Sequence, residues 1–122
     1  MKRDLELIRK ILLIVENLDD DGSFDLIIPG YPSAEINYNA KLLIDEGYIN
    51  GKHKQYISGE KFLYLESLTW SGHDLLDSIR NESVWRKLKH TIQDSTGSVA
   101  LETLKALGTK LTAYYLEQKL GL

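Results

Sequence analysis

The chain has no cysteine, only two prolines, two phenylalanines and one methionine, and three histidines in 122 residues. Without cysteine there are no disulfides and no thiolate metal sites, which suits a reducing compartment and leads to the expectation of a cytoplasmic protein. Both prolines fall in one stretch, Pro29-Gly30-Tyr31-Pro32, a pair of turn signals. No apolar run approaches the roughly 18 residues that cross a bilayer, so no membrane partner is expected. The opening MKRDLELIRKILLIVENL is broken by Asp4, Glu6, Arg9 and Lys10 and lacks a small-residue cleavage site, unlike a signal peptide. His53, His73 and His90 show neither H-x3-H nor HExxH spacing, and no glycine loop is built to cradle phosphate. No nucleophile with an assigned base stands out, so the expectation is no metal, no cofactor and no enzyme.

There is also little excess charge. The net charge is −3, which argues against a protein that coats nucleic acid nonspecifically. Residues 1–61 hold 8 Lys/Arg and 11 Asp/Glu, and no arginine lies between Arg9 and Arg80. Any contact with DNA must therefore come from a local basic patch. The length is that of one domain with a core large enough to need no covalent help.

Leu5, Ile8, Ile11, Leu12, Val15 and Leu18 repeat every three or four residues, predicting a helix over about 4–18 with Asp4 as N-cap. Asp19-Asp20-Asp21-Gly22 stops it; a calcium loop begun at Asp19 would need its glycine at the sixth position, not the fourth. Phe24-Asp25-Leu26-Ile27-Ile28 reads as a short strand. A turn or helical fragment over Ser33–Glu35, with Ser33 as cap, leads into a helix over about 36–46, and Gly47 is placed to end it. Two helices in this order suggest a helix-turn-helix.

Three β-like runs follow: Tyr48–Asn50, Gln55–Ile57 and Phe62–Leu68, with Gly51 and Gly59 at the turns. The turns carry Lys52, His53, Lys54 and Lys61. In LTWSGHDLLD, Leu68 to Asp77, Thr69 reads as an N-cap and Gly72 as a close approach one turn later. His73 and Asp74 are adjacent on that helix and point about 100° apart, so they form a structural joint rather than a catalytic pair. Val84, Trp85, Leu88 and Ile92 predict an amphipathic helix showing Arg86, Lys87, Lys89 and His90 outward, broken by Ser95–Ser98. A last helix over about 98–120 carries Leu101, Leu104, Leu107, Gly108, Leu111, Tyr115, Leu116 and Leu120 on a face wider than one packing surface requires.

The span Ile36–Ile49, INYNAKLLIDEGYI, resembles the recognition helix and following strand of bacterial winged-helix repressors. Those commonly show a β-branched residue, a small polar residue, a Leu-Leu pair and Glu-x-Gly-Leu-Ile. Together with MKRDLELIRKIL and LTWSGHDLLDSIRNESVWRKLK, nearly the whole chain resembles a bacterial and phage family, domain-of-unknown-function family 2513. The LTW-x-GHD-x-LD-x-IR segment is its most specific part. The resemblance implies a winged-helix body and a phage or prophage setting, but no activity. One departure is Asn39, where the family pattern often has histidine.

The expected fold is thus α+β and mainly helical: one domain, with a winged helix-turn-helix body over residues 1–80 and a helical extension over 81–122. The leading functional reading is a DNA-binding transcriptional regulator. Asn37, Tyr38 and Lys41 would face base edges and Lys52, His53, Lys54 and Lys61 the phosphates. Asp45 and Glu46, closing the presumed recognition helix, pull against it. The alternative is an adaptor binding a host protein through Tyr38, Ile44, Tyr48 and Tyr56. A homodimer is expected through Leu104, Gly108, Leu111 and Tyr115, with Gly108 allowing close helix approach.

Overall fold

The computed structural model describes residues 1–122 as an α+β fold with five helices and a small antiparallel sheet: α1 (Leu5–Glu16), β1 (Ser23–Phe24), α2 (Ser33–Asp45), β2 (Ile49–Gln55), β3 (Lys61–Leu68), α3 (Trp70–Ile79), α4 (Glu82–Ser95) and α5 (Leu101–Leu120). The chain divides into two compact units, Met1–His73 and Asp74–Leu122. The division falls inside α3, ahead of the expected boundary after residue 80. No helix is long and apolar enough to cross a membrane.

In the first unit, α1 forms where its apolar spacing predicts, and Leu7, Ile8, Ile11, Leu12 and Val15 are buried against α2 and β3. The Asp4 carboxylate caps it by accepting the Leu7 N–H at 3.0 Å. Tyr64 donates its hydroxyl to the Asp21 carbonyl, so the aspartate-rich segment folds back onto β3. The sheet order is β1-β3-β2, with Phe24 opposite Tyr64, and Lys52 and Lys54 opposite Tyr64 and Phe62.

Three sequence expectations change here. The strand expected over 24–28 pairs only at Ser23 and Phe24, because Asp25 turns into the left-handed region at φ 56 and leads the chain off the sheet. Leu26 and Ile28 remain buried with Ile27 exposed, so this part of the run is held by apolar burial and not by strand pairing. The separate fragment at Ser33–Glu35 is the first turn of α2, and Pro32 rather than Ser33 holds the cap position, its carbonyl accepting the Glu35 and Ile36 N–H groups. The two helical pieces that suggested a helix-turn-helix are therefore one continuous helix, with no turn between them. Finally, Gly51 makes no turn. It lies within β2 at a bulge between Asn50 and Gly51, and a Cβ there would run into the Tyr64 carbonyl. The three β-like runs are two long strands, with Lys52, His53 and Lys54 along β2 instead of at a tip.

The joint after β3 is as the sequence predicts. The Thr69 hydroxyl accepts the Gly72 N–H at 3.0 Å and donates to the Gly47 carbonyl at 2.6 Å, while the Thr69 N–H donates to the Tyr48 carbonyl at 3.1 Å. Gly47, at φ 82, ends α2, and the Tyr48 N–H reaches back to the Leu43 carbonyl. A Cβ on Gly72 would overlap the Tyr48 carbonyl. His73 and Asp74 are exposed at adjacent helical positions.

In the second unit, Asn81 caps α4 by accepting the Ser83 and Val84 N–H groups, and Val84, Trp85, Leu88 and Ile92 are buried. On α5, which packs on α4, Thr112 donates to the Ser78 carbonyl at 3.1 Å, and a Cβ on Gly108 would meet that same carbonyl. Leu104 is fully buried. The close approach that Gly108 permits is thus made within the chain, to α3, and Leu104 and Gly108 present no surface to a second copy. Exposed on α5 are Leu107, Tyr114, Leu116 and Leu120, with Leu111 and Tyr115 half-buried.

Gly72→Ala is expected to lower thermal stability by about 1–3 kcal/mol, since the backbone of Tyr48 must shift to admit the methyl, whereas Trp70→Ala, at an 85% exposed position, should leave the melting temperature within a degree or two of the parent, at most ~0.5 kcal/mol. Calorimetry on the two variants checks both.

Candidate functional site

The exposed side of α2 follows from its buried one. Ile36, Asn39, Ala40 and Leu43 turn inward, which leaves Ala34, Asn37, Tyr38 and Lys41 on the other side. The β2–β3 hairpin runs beside that side. Its inner end is buried at Ile49, Leu63 and Leu65, but from Lys52 to Lys61 every residue is exposed. Between the helix and the hairpin lies a cleft of ≈ 270 Å³. Of the seven residues predicted from the sequence to contact DNA, six line it: Asn37, Tyr38, Lys41, His53, Lys54 and Lys61. The seventh, Lys52, lines an adjoining recess with Ile44, Gly51, His53, Lys54, Tyr56 and Phe62. No carboxylate lines either one.

The acids gather elsewhere. Glu16, Asp19, Asp20 and Glu66 line a separate recess with His73. Asp45, at the end of α2, is held by His53, whose Nε2 lies 2.7 Å from its Oδ1. That contact fixes the hairpin to the helix end and leaves His53 less free for another partner than Lys41, Lys54 or Lys61. The Lys54 ammonium stands 5.1 Å from the centre of the Tyr56 ring, a cation–π contact on the hairpin surface.

The surface expected for a protein partner is less coherent. Tyr48 is buried and belongs to the core, Ile44 is half-buried beside Gly51, and only Tyr56 is well exposed.

The sequence reading gave no role to Asn39. Its side chain is buried where the start of α1 meets α2: Oδ1 accepts the Asp4 N–H at 2.9 Å, and Nδ2 donates to the Glu35 carbonyl at 2.9 Å. It thereby sets the start of α1 against α2. A buried amide inside an otherwise polar-looking INYNAK stretch has no periodic signature distinguishing it from its neighbours. Tyr31 lies at the same junction. Burial first, then the charges of Asp4, Glu6 and Glu35, hold its phenol above the ordinary range near 10.

The site is thus a lysine-lined cleft between an exposed helix face and a hairpin. The chain itself belongs to the family described as "Hypothetical protein (DUF2513)", whose sequence profile matches residues 2–98. That match spans the whole first unit and ends between α4 and α5. The chain is also similar to an "Uncharacterized protein" of Haemophilus influenzae, 36% identical over 121 residues, covering 95% of this chain and 99% of the relative. No solved structure matches it.

Asn39→Ala should cost about 1–3 kcal/mol in urea unfolding, because it removes a buried amide and leaves the half-buried Asp4 N–H without its acceptor. At alkaline pH the neutral Tyr31 phenol is favoured in the fold, so the stability it contributes is complete below about pH 10 and is lost as pH rises through the raised value. Tyr31→Phe should flatten that loss in melting temperatures taken across the alkaline range.

Proposed function

We propose that the first unit is a winged helix that binds double-stranded DNA and acts as a transcriptional regulator, with α2 directed into the major groove and the β2–β3 hairpin as the wing. The observation that carries this reading is the cleft: in a chain of net charge −3, Lys41, Lys54 and Lys61 converge on one concavity without a carboxylate in its lining. Asn37 and Tyr38 sit beside them as groups able to meet base edges, and Lys52 and His53 flank the backbone path. The element order α1, β1, α2, β2, β3 with sheet order β1-β3-β2 supports a hairpin flanking an exposed helix.

Three lysines give modest electrostatic drive and a correspondingly shallow salt dependence, so binding should rely on pairing of chains. We infer a second copy as partner, on different residues from those the sequence suggested: Leu116 and Leu120, four residues apart on one exposed face of α5, take the place of Leu104 and Gly108. A sedimentation mass of one chain at micromolar concentration would remove the dimer from this reading. Leu116→Glu with Leu120→Glu should lower the mass of an existing dimer without unfolding it, since both positions are exposed.

The direct test is binding to duplex fragments from the gene neighbourhood at low and moderate salt. One fragment should be retained, and Lys41→Ala, Lys54→Ala and Lys61→Ala should each lower the slope of log affinity against log salt by about 0.9. Absence of binding at both salts would move the proposal to a protein partner captured through the hairpin.

A further inference from the structure

The end of the hairpin is an apolar point on a charged arm. Tyr56-Ile57-Ser58-Gly59-Glu60 closes it, with the Tyr56 N–H donating to the Glu60 carbonyl at 2.8 Å and the Gly59 N–H to the Tyr56 carbonyl at 2.9 Å. Those two bonds fix the loop, and Ile57 projects from it at a relative exposure of 109%, the highest of any large apolar residue in the chain. Lys54 and Lys61 stand on the two strands just behind, opposite Phe62 and Gln55 respectively, and Tyr56 beside Ile57 is half exposed under the Lys54 ammonium.

Resting on the DNA-binding reading above, we propose that Ile57 is a wedge that enters the minor groove between two base pairs and kinks the duplex. Lys54 and Lys61 would hold the phosphates on either side and Tyr56 would lie against the opened step. Three observations favour DNA over a protein partner as the occupant. The exposed apolar surface of the tip is Ile57 with Tyr56 beside it, followed by Ser58, Gly59 and Glu60, a far smaller area than protein docking uses. The flanking strands each supply one cation directly behind the tip, Lys54 on β2 and Lys61 on β3. The tip is pinned by backbone bonds, as an inserting side chain requires, and isoleucine is among the apolar side chains that partly unstack base steps in minor-groove complexes. Glu60 is the one carboxylate at the tip and works against phosphate.

A wedge of this kind selects deformable sequence. It favours pyrimidine–purine steps such as TA and CA, which unstack easily, and disfavours stiff A-tracts at the same position.

The test uses the full chain and a bound duplex of about 30 base pairs carrying a fluorophore at each end, so that bending is read from energy transfer. The parent protein is expected to shorten the end-to-end distance. Ile57→Ser should abolish the shortening and weaken binding roughly tenfold, with an unchanged melting temperature because the position is fully exposed. Ile57→Leu should keep both bend and affinity, and Glu60→Gln should raise affinity. Replacing the central TA step by an A-tract should penalise the parent but not Ile57→Ser. A complex that forms without bending, or Ile57→Ser bending DNA as the parent does, would overturn the wedge while leaving the DNA-binding reading intact. Failure of the parent to bind any duplex at low salt would overturn both.

Discussion

The Thr69 hydroxyl is the contact on which the first unit turns. It accepts from the start of α3 and donates to Gly47, where α2 ends, while the Thr69 N–H bonds the next carbonyl, that of Tyr48. One residue thereby ties the exit of α2, the entry of β2, the end of β3 and the cap of α3. Gly72 lets this joint close, because any side chain there would meet the Tyr48 carbonyl. With the joint closed, Tyr48 and Ile49 are buried and β2 must leave alongside α2, which is what creates the cleft between helix and hairpin.

A second fixed point sits midway along α2 and bonds back toward its first turn. Asn39 bonds the start of α1 from one side chain and, by spending both ends of its amide on backbone groups, holds Ile36, Ala40 and Leu43 toward the core. The angular spacing of a helix then leaves Asn37, Tyr38 and Lys41 facing outward. The His53–Asp45 contact secures the hairpin near the other end of the helix. The charged residues of the cleft are thus held on rigid elements, with the exposed arm from Lys52 to Lys61 reaching beyond them.

Charge is separated more sharply than the composition implies. The first 61 residues are net acidic, yet lysines line the cleft and the adjoining recess while Glu16, Asp19, Asp20 and Glu66 line another. A count of charges along the sequence averages over this separation, since residues distant in sequence, such as Lys41 and Lys61, share one surface only after the hairpin has folded back. The same averaging explains α5. Its apolar residues encircle the helix, and periodicity could not tell which of them the chain's own α3 and α4 would cover, so Leu104 and Gly108 looked available to a partner when they are not.

By itself the sequence determined the helices, the caps at Asp4 and Thr69, the glycine exit of α2 and the close approach at Gly72, together with membership of its family. These are local: they depend on apolar spacing, on a side chain reaching a backbone group three residues away, or on the missing Cβ of a glycine. Tertiary structure alone decided that the run after Phe24 leaves the sheet at Asp25, that Gly51 is a bulge within one long strand, that Asn39 is a buried anchor and that six of the seven predicted contact residues share one cleft. Each of these depends on which distant backbone or side chain stands opposite, and a strand, a bulge or a cleft exists only when its second side is in place.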